Sequence, residues 1–129
     1  MEKDFVPYPL ALRLKEIGFN EPCFGYYDGN HNFNYMFEGK PENFSYRKFP
    51  LGHSVGWISA PTFSQAFRWV REKYDLFTHI EKGENPKNFY PIIDNVSHKY
   101  NPKLWFDTYE EVELACLKQL IEIVEQKEK

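Results

Sequence analysis

At 129 residues, 42% of them hydrophobic, the chain is long enough for one packed domain over 1–129 that buries about two thirds of its unfolded surface, which excludes a disordered chain. A formal net charge of −3 argues against general affinity for nucleic acid. The charge is uneven, however: residues 107–129 hold seven acids and three lysines, leaving 12 acids against 13 bases elsewhere and room for a local basic patch.

Leu10, Arg13, Leu14 and Ile17 recur at helical spacing and Gly18 supplies a stop, so about 8–17 reads as a helix. In "CFGYYDGNHNFNYMF" the Asp28-Gly29 pair stands between two aromatic runs, the strongest hairpin signal in the chain. Beyond it Phe33, Tyr35 and Phe37 alternate with Asn32, Asn34 and Met36. After the polar "EGKPEN", Phe44, Tyr46 and Lys48 alternate with Ser45, Arg47 and Phe49. The pattern predicts a three-strand antiparallel meander over about 22–27, 32–37 and 44–49. "GHSVG" (52–56) follows as a glycine-flanked link, with Trp57 beside it either capping a pocket or plugging the core.

"APTFSQAFRWVREKY" opens with Pro61, and Thr62 with Gln65 makes a capping box. Phe63, Ala66, Phe67, Val70 and Tyr74 form its apolar stripe. Arg68, Arg71 and Glu72 lie opposite, and Trp69 sits at the margin. "LFTHIE" and "FYPIIDNV" are two further strands joined by "KGENPKN", with Pro91 pointing to an edge. Thr108 and Glu111 then cap a helix over about 108–126. Val112, Ala115, Cys116, Leu120 and Ile123 make one face of it, and Leu114, Leu117, Ile121 and Val124 widen that face. Only Glu111, Lys118, Glu122 and Glu125 leave a polar strip, so this helix needs cover on two sides. It either packs on the sheet or forms a dimer interface, and a homodimer is an expected state. The fold class is α+β, an antiparallel sheet of about five strands with three helices.

Only two cysteines occur, Cys23 and Cys116, both in apolar company. No apolar run approaches the ~18 residues of a membrane span, and "MEKDFVPYPL" lacks the apolar stretch of a signal peptide. The expectation is a cytoplasmic protein without a membrane partner and with both thiols reduced.

Ser54 matches G-x-S-x-G, the pattern of a hydrolase nucleophile. Pro50 interrupts the strand that should precede it, and the next helix starts only near Thr62. Asp94 and His98, the acid and histidine downstream, lie four residues apart. Ser54 therefore reads as a turn residue, and a small serine hydrolase is the least favoured function. His31, His53, His79 and His98 are scattered. His79 and Glu81 share a strand face, but two ligands do not make a site. No catalytic residue, metal or cofactor is expected.

What remains is a binding surface. Tyr35, Tyr46, Arg47 and Lys48 put rings beside positive charge, Trp57 follows them, and Arg68 and Arg71 stand on the next helix. Rings stack on bases at ~1–3 kcal/mol each, and guanidinium groups clamp phosphates. The set suits a small nucleotide-like ligand, and with four arginines in the chain it does not suit long nucleic acid. The alternative is a module that binds and inhibits a host protein through the two-faced C-terminal helix and Trp69.

Three segments, "PYPLALRLKEIGFNEPCFGYY" (7–27), "APTFSQAFRWVREKY" (60–74) and "TYEEVELACLKQLIEIV" (108–124), together 53 of the 129 residues, carry a resemblance. They resemble a family of small uncharacterised proteins of gut Bacteroidota and of their phages and mobile elements. The resemblance brings no catalytic residue with it. It implies a non-enzymatic accessory protein, in the host cytoplasm if phage-encoded, that binds and neutralises a host component such as a defence signal.

Overall fold

Pro7 opens helix α1 (Tyr8–Glu16), its carbonyl taking the Leu10 and Ala11 amides at 3.1 and 2.9 Å. Gly18, at a φ of 106° that disfavours any side chain, closes it. The Phe19 amide reaches back to the Leu14 carbonyl and the Gly18 amide to that of Lys15, and Leu14 and Phe19 are both buried. That paired closure is the Schellman arrangement, and it matches the stop expected at Gly18. The computed structural model describes residues 2–35, 41, 57–83, 89–93 and 106–127. They form an α+β chain that divides into two compact units, Met1–Gln65 and Ala66–Lys129.

In the first unit β1 (Gly25–Tyr27) is the central strand of an antiparallel sheet. β2 (Phe33–Tyr35) lies on one side of it and β3 (Ile58–Ala60) on the other. Strand β3 falls just beyond the segment that reads as a link. The third meander strand expected at 44–49 lies outside the described residues. The registers Gly25↔Tyr35, Tyr27↔Phe33, Gly25↔Ala60 and Tyr27↔Ile58 put these six residues on one face. Helix α1 packs on β3, and Val6, Leu10, Ala11, Leu14, Tyr27, Ile58 and Ala60 are buried in this unit. The Tyr27 hydroxyl donates to the Val6 carbonyl at 2.8 Å, so even this buried ring has its polar end satisfied.

Gly25 is demanded by a ring rather than by its backbone angle. A Cβ there would stand 2.8 Å from Cε1 and Cζ of Phe33 and 3.1 Å from Cε1 of Phe5. Phe33 lies across the strand at that point, edge-on to Tyr35 and tilted against Phe5 at 4.8 Å between centroids.

Helix α2 (Phe63–Tyr74) begins where expected, with the Gln65 amide donating to Thr62 Oγ1 at 3.1 Å. Its buried arc is turned from the expected stripe. Phe63, Ala66, Trp69 and Val70 are inside, whereas Phe67 and Tyr74 sit half-buried on the rim. The indole accounts for the turn, because Trp69 brings the largest apolar area on the helix. Tyr74 closes over it edge-on at 5.6 Å and Lys73 Nζ lies 5.0 Å above the ring.

In the second unit β4 (Thr78–Lys82) and β5 (Phe89–Ile93) form an antiparallel hairpin. Helix α3 (Tyr109–Lys127) packs on both strands, and the Glu111 amide donates to Thr108 Oγ1 at 3.1 Å. Val112, Cys116, Leu117, Leu120, Ile121 and Val124 are its buried residues. At 100° per residue they span roughly half the circumference, with Leu114 on the rim at 39% exposure. The long helix thus covers the sheet, as the first of the two expected arrangements has it.

Phe89 and Phe106 exchange both backbone hydrogen bonds, at 2.9 and 2.8 Å. Alternation then turns the Pro91 nitrogen toward the same outer side, away from β4. Pro91 therefore costs the β4–β5 ladder no hydrogen bond, in keeping with its edge signal.

Candidate functional site

The Asp28-Gly29 signal does produce the β1–β2 hairpin, through a five-residue connection (28–32) organised by one carboxylate. Asp28 Oδ1 accepts the amides of Asn30 and Asn32 at 2.9 and 3.0 Å, and Oδ2 accepts Asn34 Nδ2 at 3.2 Å. The Asp28 amide donates to the Asn32 carbonyl and the His31 amide to that of Asp28. His31 takes up the left-handed conformation at φ 67°, and its ring stacks on Tyr8 of α1 at 3.9 Å and 16°. These donors, with the Asn32 amide first, hold the Asp28 carboxyl below its ordinary range, and His31 adds to the effect.

This connection settles which side chains share a face. Tyr26 opposes Asn34 on one side and Ser59 on the other, while Asp28 lies just past β1, two residues on from Tyr26. Trp57, directly before β3, stacks on Tyr26 with centroids 4.6 Å apart and planes 14° from parallel. Phe24, directly before β1, is 47% exposed. The face opposite α1 thus carries a stacked ring pair beside a fixed carboxamide. Asn34 Nδ2 donates both to Asp28 Oδ2 and, at 3.0 Å, to the Asn32 carbonyl.

Among the residues expected to bind, Tyr35 and Trp57 are not brought together. Tyr35, 39% exposed, lies on the α1 face, edge-on to Phe5 and Phe33. Trp57 belongs to the opposite face. Arg68 and Arg71 are exposed on the part of α2 in the second unit. Tyr46, Arg47 and Lys48 lie outside the described residues, as does Ser54. Trp69, offered above to a host protein, is 5% exposed. Tyr26, Asn34 and Asp28, outside the set expected to bind, lie on the face of Trp57, and their even spacing along the chain makes that face readable.

A second polar cluster lies on the outer side of the β4–β5 hairpin. His79 Nε2 and Glu81 Oε1 are 3.1 Å apart, so the expected shared strand face is real, and the Tyr90 hydroxyl donates to Glu81 Oε2 at 2.7 Å. Tyr90 first and His79 second hold the Glu81 carboxyl below its usual range, and the same bond pushes the Tyr90 phenol up. With one partner on each oxygen, Glu81 acts as a cross-strand tie. Among the described residues no group of three or more His, Cys, Asp or Glu is placed to hold a metal ion.

Burial pushes both thiols up to about 12. Glu21 adds to the effect at Cys23 and a Gln65 hydrogen bond opposes it, while at Cys116 a Thr78 hydrogen bond opposes burial. Both cysteines are free, and neither is a thiolate at neutral pH. No described helix is long and apolar enough to cross a membrane. No protein family, curated protein or solved structure matches this chain.

Proposed function

We propose that the chain is a non-enzymatic binding protein that sequesters a small nucleotide-like ligand in the cytoplasm. On this reading it is an accessory factor of a phage or mobile element acting on a host defence signal. The observation that supports this most directly is the Tyr26–Trp57 stack beside Asn34. The two rings already stack on each other, so a planar heterocycle would extend the stack from an outward ring face, whatever its sugar or phosphate. Arg47 and Lys48, which follow β2 in the chain, supply the charge for a phosphate.

Isothermal titration with mono-, di- and cyclic nucleotides tests the reading. Binding by at least one of them, weakened by ~1–3 kcal/mol in Trp57→Ala, is the expected outcome. No heat with any member of the panel would sink it. A second reading, contact with a host protein or a second copy through α3, is favoured by Tyr109 and Leu114, exposed to 49% and 39%. On that reading the protein sediments as a dimer or holds a stoichiometric partner, and Leu114→Glu abolishes the association.

A further inference from the structure

The ring pair accounts for affinity toward any flat ligand but not for a choice among them. That choice can be argued from Asn34. It stands directly opposite Tyr26 in the register, where side chains of paired residues lie about 5 Å apart at Cβ. Both N–H bonds of its carboxamide are committed, one to Asp28 Oδ2 and one to the Asn32 carbonyl. An asparagine whose donors are spent can offer a ligand only its Oδ1, as an acceptor.

The mounting of that acceptor is rigid. Asp28 is pinned by two backbone amides, and the connection that holds it is pinned to α1 through the His31–Tyr8 stack. An ionised Asp28 has no proton to donate, so it cannot tolerate the flipped carboxamide, which would set oxygen against oxygen. The group orientation is therefore locked wherever Asp28 carries its charge.

We infer that Asn34 is a specificity-determining residue that accepts a hydrogen bond from an exocyclic amino group on the edge of the ligand's ring. This rests on the ligand reading above and narrows it to heterocycles bearing an exocyclic amine beside the stacking surface. Isosteres without that N–H leave Oδ1 facing a carbon edge and bind less well.

Two pairs of probes differ only in such an amine: adenosine 5′-monophosphate with purine riboside 5′-monophosphate, and guanosine 5′-monophosphate with inosine 5′-monophosphate. In at least one pair the aminated member is expected to bind roughly tenfold tighter, the worth of one hydrogen bond of ~1.4 kcal/mol. Asn34→Ala is expected to bring the pair level while the weaker ligand keeps its affinity. Asp28→Asn, which lets the carboxamide turn over, is expected to narrow the gap without removing binding. Should Asn34→Ala fail to fold, the ligand pairs on the native chain still decide. Equal affinity within both pairs overturns the role of Asn34 and leaves the ring-stack reading standing. Binding by none of the four overturns the role of Asn34, and silence across the wider panel of nucleotides removes the ring-stack reading with it.

Discussion

The two units of this chain use the same ingredients, a small antiparallel sheet with a helix laid on it, and solve the packing differently. In Ala66–Lys129 the work is aliphatic: Val112, Leu117, Leu120, Ile121 and Val124 of one long helix press on two strands. In Met1–Gln65 much of it is aromatic: Phe5, Tyr8, Tyr27, Phe33 and Tyr35 meet edge-on or tilted, with a hydroxyl tied to the backbone. Trp69 adds one buried ring on α2, with Tyr74 closed over it. The first unit also holds the Tyr26–Trp57 pair on the face opposite α1, together with a polar network that the core does not require. That surplus is the reason the proposed site is placed there.

The largest effect is expected in the aliphatic unit. Leu120 is wholly buried, and Leu120→Ala should destabilise the protein by ~2–5 kcal/mol in denaturant titrations, through lost burial and the cavity left behind. Near-UV signals from the Tyr8–Tyr27 and Tyr26–Trp57 contacts would show whether the first unit melts with it. A smaller loss, about 1–3 kcal/mol, is expected for Gly25→Ala, because a methyl group there drives Phe33 off its place. If Gly25→Ala is neutral, the ring packing is looser than the geometry states.

The smallest effect concerns pH. Asp28 and Glu81 both titrate below their ordinary range in the folded chain, so their contributions are present above about pH 4 and are lost as pH falls through the depressed values. Asp28→Asn should therefore remove part of the acid-side slope of stability against pH, leaving the chain unchanged at lower pH. An unaltered slope would detach the connection from the carboxylate's charge.

Much of the second unit was legible in the residues. The 3.6-residue period of α3, the Thr108 cap and the two short apolar runs joined by a polar turn, with Pro91 at the edge, are local signals, and local physics decides them. Strand β3 was not legible, because "ISA" is three residues long and all three are buried, leaving no alternation to read. Trp69 shows the same limit on a helix: its period put it at the margin, and its volume brought it inside. The site was legible only in part. Trp57 reads from the sequence as a ring beside Tyr35, but which rings share a face depends on parity across the hairpin, and Trp57 stacks on Tyr26. Had Asp28-Gly29 closed a two-residue turn, Tyr26 would oppose His31 and the faces of β2 would exchange. A five-residue connection held by one carboxylate opposes Tyr26 to Asn34 instead.

Pro91 has a consequence for the chain among its neighbours in a crowded cell. Exposed strand edges recruit other strands. On the outer side of β5 the Phe89 groups are already committed to Phe106, and the next residue turned outward has no hydrogen to give. Pro91 is moreover wholly buried, so an added strand would find one anchor taken and, at the next, neither a hydrogen to accept nor surface to reach. The residue that spares the native ladder thus also guards the protein against its own copies.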